Sequence, residues 1–184
     1  MPRDPVFRSF LESAAADARE VNRTSRCVRL VPDPRSGSPS DTYHCIFDGL
    51  QYFKRAPDGT IAESRDPLLV RIRFPEEYLR DTEPGLAYRT ISVVSSLHHP
   101  NVRGSAVCLA GFAVGTRLRS IAEMLHAVFS ARVYATSDPL DPEAARFFAD
   151  HPERVHTLRS APLWPTPVGR VSRVRSGAPG EVAP

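Results

Sequence analysis

The apolar residues of this chain change period part-way along, and that change limits its fold more than any other feature. Between residues 28 and 95 they fall in short alternating runs separated by turn-forming residues. The clearest run is 68–74, where Val70, Ile72 and Phe74 share one face, Arg71 and Arg73 take the other, and Pro75 ends the run. Residues 28–31, 43–47, 50–53 and 88–95 read as further strands, with 32–40 as a loop and Ala56-Pro57-Asp58-Gly59 as a turn. Beyond Cys108 the period lengthens. Leu118, Ile121, Ala122, Leu125, Val128 and Phe129 recur at helical spacing, which predicts a core-facing helix with Gly115-Thr116 at its start.

Two more helices frame this block. Asp4-Pro5 reads as an N-cap with proline at the first helical position, followed by Phe7, Phe10, Leu11, Ala14, Ala18 and Val21 on one face for about four turns. Asp141-Pro142-Glu143 repeats that signal, with Ala144, Ala145 and Phe148 directed inward and an end before Pro152. Strands joined by turns rather than by helices imply an antiparallel meander. The expectation is an α+β domain over residues 1–158: an N-terminal helix, a four-stranded antiparallel meander and C-terminal helices. Residues 159–184, rich in Pro, Gly, Ser and Arg, read as a flexible or loosely docked tail with Trp164 as its large anchor.

Composition bears on function mainly by exclusion. A formal charge of +3 lacks the basic excess of a nucleic-acid partner. Every apolar stretch is broken too early to span a membrane, and the first residues lead into a helix rather than a signal core. These features predict a soluble, cytoplasmic protein. Cys27, Cys45 and Cys108 are too few and too scattered for a disulfide framework, and no C-x-x-C pair suggests a metal. Of the 24 basic residues only Lys54 is lysine. That bias fits a GC-rich coding sequence; it also fits a protein that handles lysine-directed acyl transfer and offers few amines to itself.

Residues 97–109 form an irregular segment after a strand and before a helix, the setting in which scaffolds commonly hold reactive groups. His99-Pro100-Asn101 followed by Cys108-Leu109 resembles the H-P-N and C-L signature of ubiquitin-conjugating enzymes. Phe74-Pro75-x-x-Tyr78 resembles the segment by which the chain leaves the sheet in that family, and Asp138-Pro139-Leu140-Asp141-Pro142-Glu143 the segment that opens a late helix. The likeness spans roughly residues 42–155. It departs from the family after the cysteine, where Ala110–Gly115 replaces the W-x-P segment, and in the loop at 79–86. The step from Asn101 to Cys108 is also about one residue tighter than in common eukaryotic members.

The resemblance implies a transferase that carries a ubiquitin-like modifier as a thioester on Cys108, received from an adenylating activating enzyme and passed to a target amine on an acceptor protein. No cofactor is implied, since the activating partner uses the ATP. The altered loops imply a divergent, bacterial member, and with it a conjugation set associated with antiphage defence. Thioester exchange needs a sulfur that is both nucleophile and leaving group, and a cysteine thiolate is both. Asn101 either polarises the thioester carbonyl or holds the loop. Asp138 either orients the incoming amine or serves as a turn residue. His99 and Pro100 read as structural support, His98 as a surface residue, and Cys27 and Cys45 as packing residues. Two rivals stay open: an inactive module of the same fold that binds ubiquitin-like proteins, and a Cys–His hydrolase pairing Cys108 with His98 or His126.

Overall fold

The structure, a computed structural model, describes residues 4–80, 85–158 and 162–164. In chain order its elements are α1 (Pro5–Thr24), β1 (Val28–Pro32), β2 (Thr42–Phe47), β3 (Tyr52–Arg55), β4 (Ile61–Ser64), β5 (Leu68–Arg73), α2 (Leu86–Thr90), β6 (Ile91–Val93), β7 (Val102–Arg103), β8 (Ala106–Val107), α3 (Leu118–Phe129), α4 (Pro142–Asp150) and α5 (Pro152–Thr157).

Four strands form the main sheet in the order β1-β2-β5-β6, each pair antiparallel. One row crosses all four strands, with Leu30 opposite Cys45, Cys45 opposite Val70 and Val70 opposite Val93. Every member of that row is buried, as period-two alternation requires of a sheet with one covered face. The arrangement is the α+β one expected from the sequence, with a helix before the antiparallel sheet and helices after it.

The helices form where their caps dictate. The Asp4 side chain accepts the Val6 N–H at 2.8 Å, and α1 then runs for 20 residues, longer than the four turns its pattern predicted. It buries Phe7, Leu11, Ala14, Ala18 and Val21 and packs on β1 and α3. Asp141 caps α4 by accepting the N–H groups of Glu143 and Ala144, each at 3.0 Å. No side chain of its own caps α3. Asp17 of α1 supplies that acceptor across the helix pair, taking the Arg119 N–H at 3.3 Å and the Arg117 Nε–H at 3.2 Å. Thr116 instead closes the preceding turn, donating from Oγ1 to the Ala113 carbonyl at 2.7 Å.

Several sequence expectations need correction. The run at 50–53 is strand from Tyr52 onward but stands outside the main sheet: β3 pairs with β4 in a separate two-stranded hairpin, with Tyr52 opposite Ser64 and the expected turn at its tip. The run at 88–95 becomes strand only at Ile91. Gly85, at φ 93°, turns the chain into α2, whose Leu86 and Thr90 lie one turn apart and are buried. Of residues 159–184, expected to form a tail, the structure describes 162–164; there Leu163 joins the main core, and Arg119 lies 4.6 Å over the ring of Trp164. No helix among the described residues is long and apolar enough to cross a membrane.

Candidate active site

The spacing between Asn101 and Cys108 is set by a hairpin. Strands β7 and β8 pair Val102 with Val107 and Arg103 with Ala106, leaving Gly104-Ser105 as a two-residue turn. Gly104 takes φ 61° at the first turn position, where a type II′ turn calls for glycine. One step outward along this ladder, Asn101 stands opposite Cys108, and the Cys108 N–H donates to the Asn101 carbonyl at 2.8 Å. The partner bond, from the Asn101 N–H to the Cys108 carbonyl, is not made. The Asn101 N–H donates to His99 Nδ1 at 3.0 Å, and the side-chain amide takes its place, Nδ2 donating to the Cys108 carbonyl at 3.2 Å. Cys108 itself is a free, half-buried thiol.

Asn101 also reaches across to the segment that holds Asp138. Its Oδ1 accepts the Ala135 N–H at 2.8 Å, while the Pro100 carbonyl accepts the Asp141 N–H at 3.1 Å. Residues 135–141 are therefore pinned at both ends to the His99-Pro100-Asn101 turn. Asp138 lies exposed between these pins, with no hydrogen-bond or ion-pair partner among the described residues. The structure thus places Cys108 and Asn101 side by side and brings the Asp138 loop against the same turn. Nδ2 carries two hydrogens and has one acceptor, so the second remains available to an oxygen placed before it.

His99 is buried beneath the turn. Its ring is 2% exposed and stands edge-on to Phe148 at 5.2 Å. Burial pushes its pKa down to about 3, outweighing a carbonyl interaction with Val128 that favours protonation. A neutral ring accepting at Nδ1 carries its proton on Nε2, which makes no hydrogen bond of ordinary geometry. His98 is not a surface residue. It is 4% exposed, packs edge-on to Phe147 at 5.5 Å, and burial lowers its pKa. Its backbone is anchored to the β3–β4 hairpin, the His98 N–H donating to the Phe53 carbonyl at 2.8 Å, while its ring packs on Phe147 of α4.

Below the cysteine loop, Phe74-Pro75-x-x-Tyr78 forms an aromatic seat. Tyr78 is buried beside Phe74 (4.9 Å), Phe10 (5.2 Å) and Phe112 (6.4 Å), and its hydroxyl donates to the Thr116 carbonyl at 2.8 Å. Burial pushes the Tyr78 phenol well up, so it stays protonated and acts as a fixed donor. Cys27 and Cys45 are buried packing residues, and burial raises both thiols. Sequence reasoning missed two participants in the site, Phe53 and Ala135. Both act through backbone atoms, which no side-chain signature advertises.

No protein-family model matches the sequence, and no curated protein matches it either. Among solved structures, a domain of a ubiquitin conjugating enzyme from Toxoplasma gondii is similar, with a TM-score of 0.51 and 18% sequence identity, covering 78% of this chain and 90% of that one. At that identity the likeness establishes the fold.

Proposed function

We propose that this protein is a ubiquitin-conjugating-type transferase that carries a ubiquitin-like modifier on Cys108. The observation that supports this most is the register of the β7–β8 hairpin. It sets an asparagine amide donor 3.2 Å from the cysteine's own carbonyl and ties the same asparagine to the loop of a free carboxylate.

In this reading the Cys108 thiolate attacks the thioester joining the modifier to an activating enzyme. The modifier's acyl group moves to Cys108 and the enzyme's thiol departs. An acceptor amine then attacks the new thioester, and its carbonyl oxygen gains negative charge that the second hydrogen of Asn101 Nδ2 stabilises. Asp138 orients the amine and accepts a proton from it. Collapse of the intermediate expels the Cys108 thiolate and leaves an amide. ATP is consumed by the activating partner. The half-buried thiol favours this over an inert binding module, and the burial of both His98 and His126 disfavours the Cys–His hydrolase. A bacterial, antiphage setting rests on the family resemblance alone, and the neighbouring genes would test it.

The decisive experiment incubates the protein with an activating enzyme, its modifier and ATP. The expected product is an adduct cleaved by thiols and absent from Cys108→Ala. An adduct that survives that substitution sinks the assignment.

A further inference from the structure

The chain holds one lysine, Lys54, and the structure binds it. Its Nζ lies 2.6 Å from Asp66 Oδ2, and that oxygen also accepts the Ser64 hydroxyl at 2.9 Å. Ser64, buried in β4 directly opposite Tyr52, fixes the carboxylate in place. The hydrogen bond to Asp66 raises the Lys54 pKa, chiefly by favouring the ammonium. An ammonium has no lone pair and cannot attack a thioester.

Lys54 also borders the candidate site. Its neighbour Phe53 accepts the His98 N–H, and its other neighbour, Arg55, pairs with Glu143 in the first turn of α4. Phe53 and Arg55 face the walls of the site, so strand alternation directs Lys54 to the opposite face of β3, where its side chain is 39% exposed. Its amine is thus presented to solvent, away from the site walls that Phe53 and Arg55 face.

We propose that Lys54 is the amine on which this protein modifies itself, between copies, and that Asp66 restrains the reaction by holding Lys54 as an ammonium. This rests on the thioester role of Cys108. The step balances without any further reagent: the ammonium loses a proton to water and Nζ attacks the thioester carbonyl of a second copy. The C–S bond then breaks, Cys108 leaves as a thiolate, and the new amide nitrogen gives up its extra proton to solvent. Arginine elsewhere on the surface stays protonated and offers no competing side-chain amine.

Two measurements test it. First, the intact protein is treated at pH 8 with an acetyl N-hydroxysuccinimide ester, and acetylation of Lys54 is followed by mass spectrometry. Asp66→Asn should react about two- to fivefold faster than wild type, the influence an exposed ion pair exerts. Equal rates overturn the restraint. Second, a donor bearing Lys54→Arg is loaded with a synthetic peptide thioester ending in Gly-Gly. It is then mixed with an acceptor bearing Cys108→Ala and Asp66→Asn. Peptide should appear on Lys54 of the acceptor, more slowly when Asp66 is restored, and not when the donor is omitted. A loaded donor that leaves Lys54 unmodified overturns this inference alone. A donor that never forms a thioester at Cys108 overturns the proposed function and this inference with it.

Discussion

Asn101→Ala separates a structural asparagine from one that also stabilises charge, because the two roles differ in size. In the ground state the substitution removes the 3.2 Å bond to the Cys108 carbonyl and the 2.8 Å bond from the Ala135 N–H. The first is long and worth about 0.5–1 kcal/mol. The second leaves an N–H without its partner, at about 1–2 kcal/mol. Urea unfolding should therefore show a loss of about 1.5–3 kcal/mol with an unchanged m-value. Were that the whole role, a thioester preformed on Cys108 would discharge to a small amine within about tenfold of the wild-type rate. That ceiling follows because distortion from losing the bond to Cys108 has only about 1 kcal/mol to act with, and 1.4 kcal/mol is tenfold. A donor to the developing oxyanion adds about 10²–10³. The assay is single-turnover discharge at a temperature where the variant is fully folded, so that instability does not enter the rate. A fall of less than tenfold would refute the oxyanion role and leave Asn101 as a loop clamp.

Two further outcomes follow from buried polar groups. Asp17→Ala should cost about 1–3 kcal/mol in urea unfolding, because α3 loses the side-chain acceptor at its N-terminus along with two bonds to Arg117. Asp17→Asn, which keeps an acceptor for the Arg119 N–H, should recover part of it. If the alanine variant unfolds like wild type, the cross-helix cap contributes nothing. His99 predicts an acid limb of stability. Its folded pKa of about 3 lies below the unfolded value of 6.5, so the unfolded chain binds the proton first as pH falls. The stability that a neutral His99 contributes is present in full above about pH 6.5 and is lost progressively toward pH 3, at up to about 1.4 kcal/mol per pH step. Replacing His99 with Asn should flatten the stability–pH curve in that window. An unchanged slope would show that His99 protonates without opening its site.

What could be read in the chain, and what could not, divides along a physical line. Alternation in β5, the three-four spacing of α3 and the two Asp-Pro caps follow from side chains whose partners are near in sequence, and each element forms where those signals place it. The strand at 50–53 and the turn at 56–59 were legible, but the pairing of β3 with β4 apart from the main sheet escaped, because only Tyr52 and Phe53 of the hairpin's eight strand residues carry large apolar groups that are buried. Its stability comes from packing Phe53 between Phe147 and Phe148, residues nearly a hundred positions away. The burial of His98 escaped for the same reason, since its ring packs on Phe147 of α4. Within the site, the His99-Pro100-Asn101 turn and Cys108 were legible as residue types. The pins from Ala135 and Asp141 were not, because they are backbone donors.

The same division explains why the tight spacing around the cysteine is compatible with the chemistry proposed for it. Side chains along a strand alternate faces, so adding one residue between Asn101 and Cys108 without changing the turn would slip the register and move one of them off its partner. Seven positions with a two-residue Gly-Ser turn satisfy the ladder with no bulge: Val102 meets Val107, and Asn101 meets Cys108. The shorter step is therefore compatible with Asn101 and Cys108 standing side by side across the ladder. The geometry makes Gly104 the residue on which it hangs, since a Cβ there meets no neighbouring atom and only its φ of 61° opposes a substitution. Any strain placed on that turn is passed directly to the register of Asn101 and Cys108, and through Asn101 Oδ1 to the loop that carries Asp138.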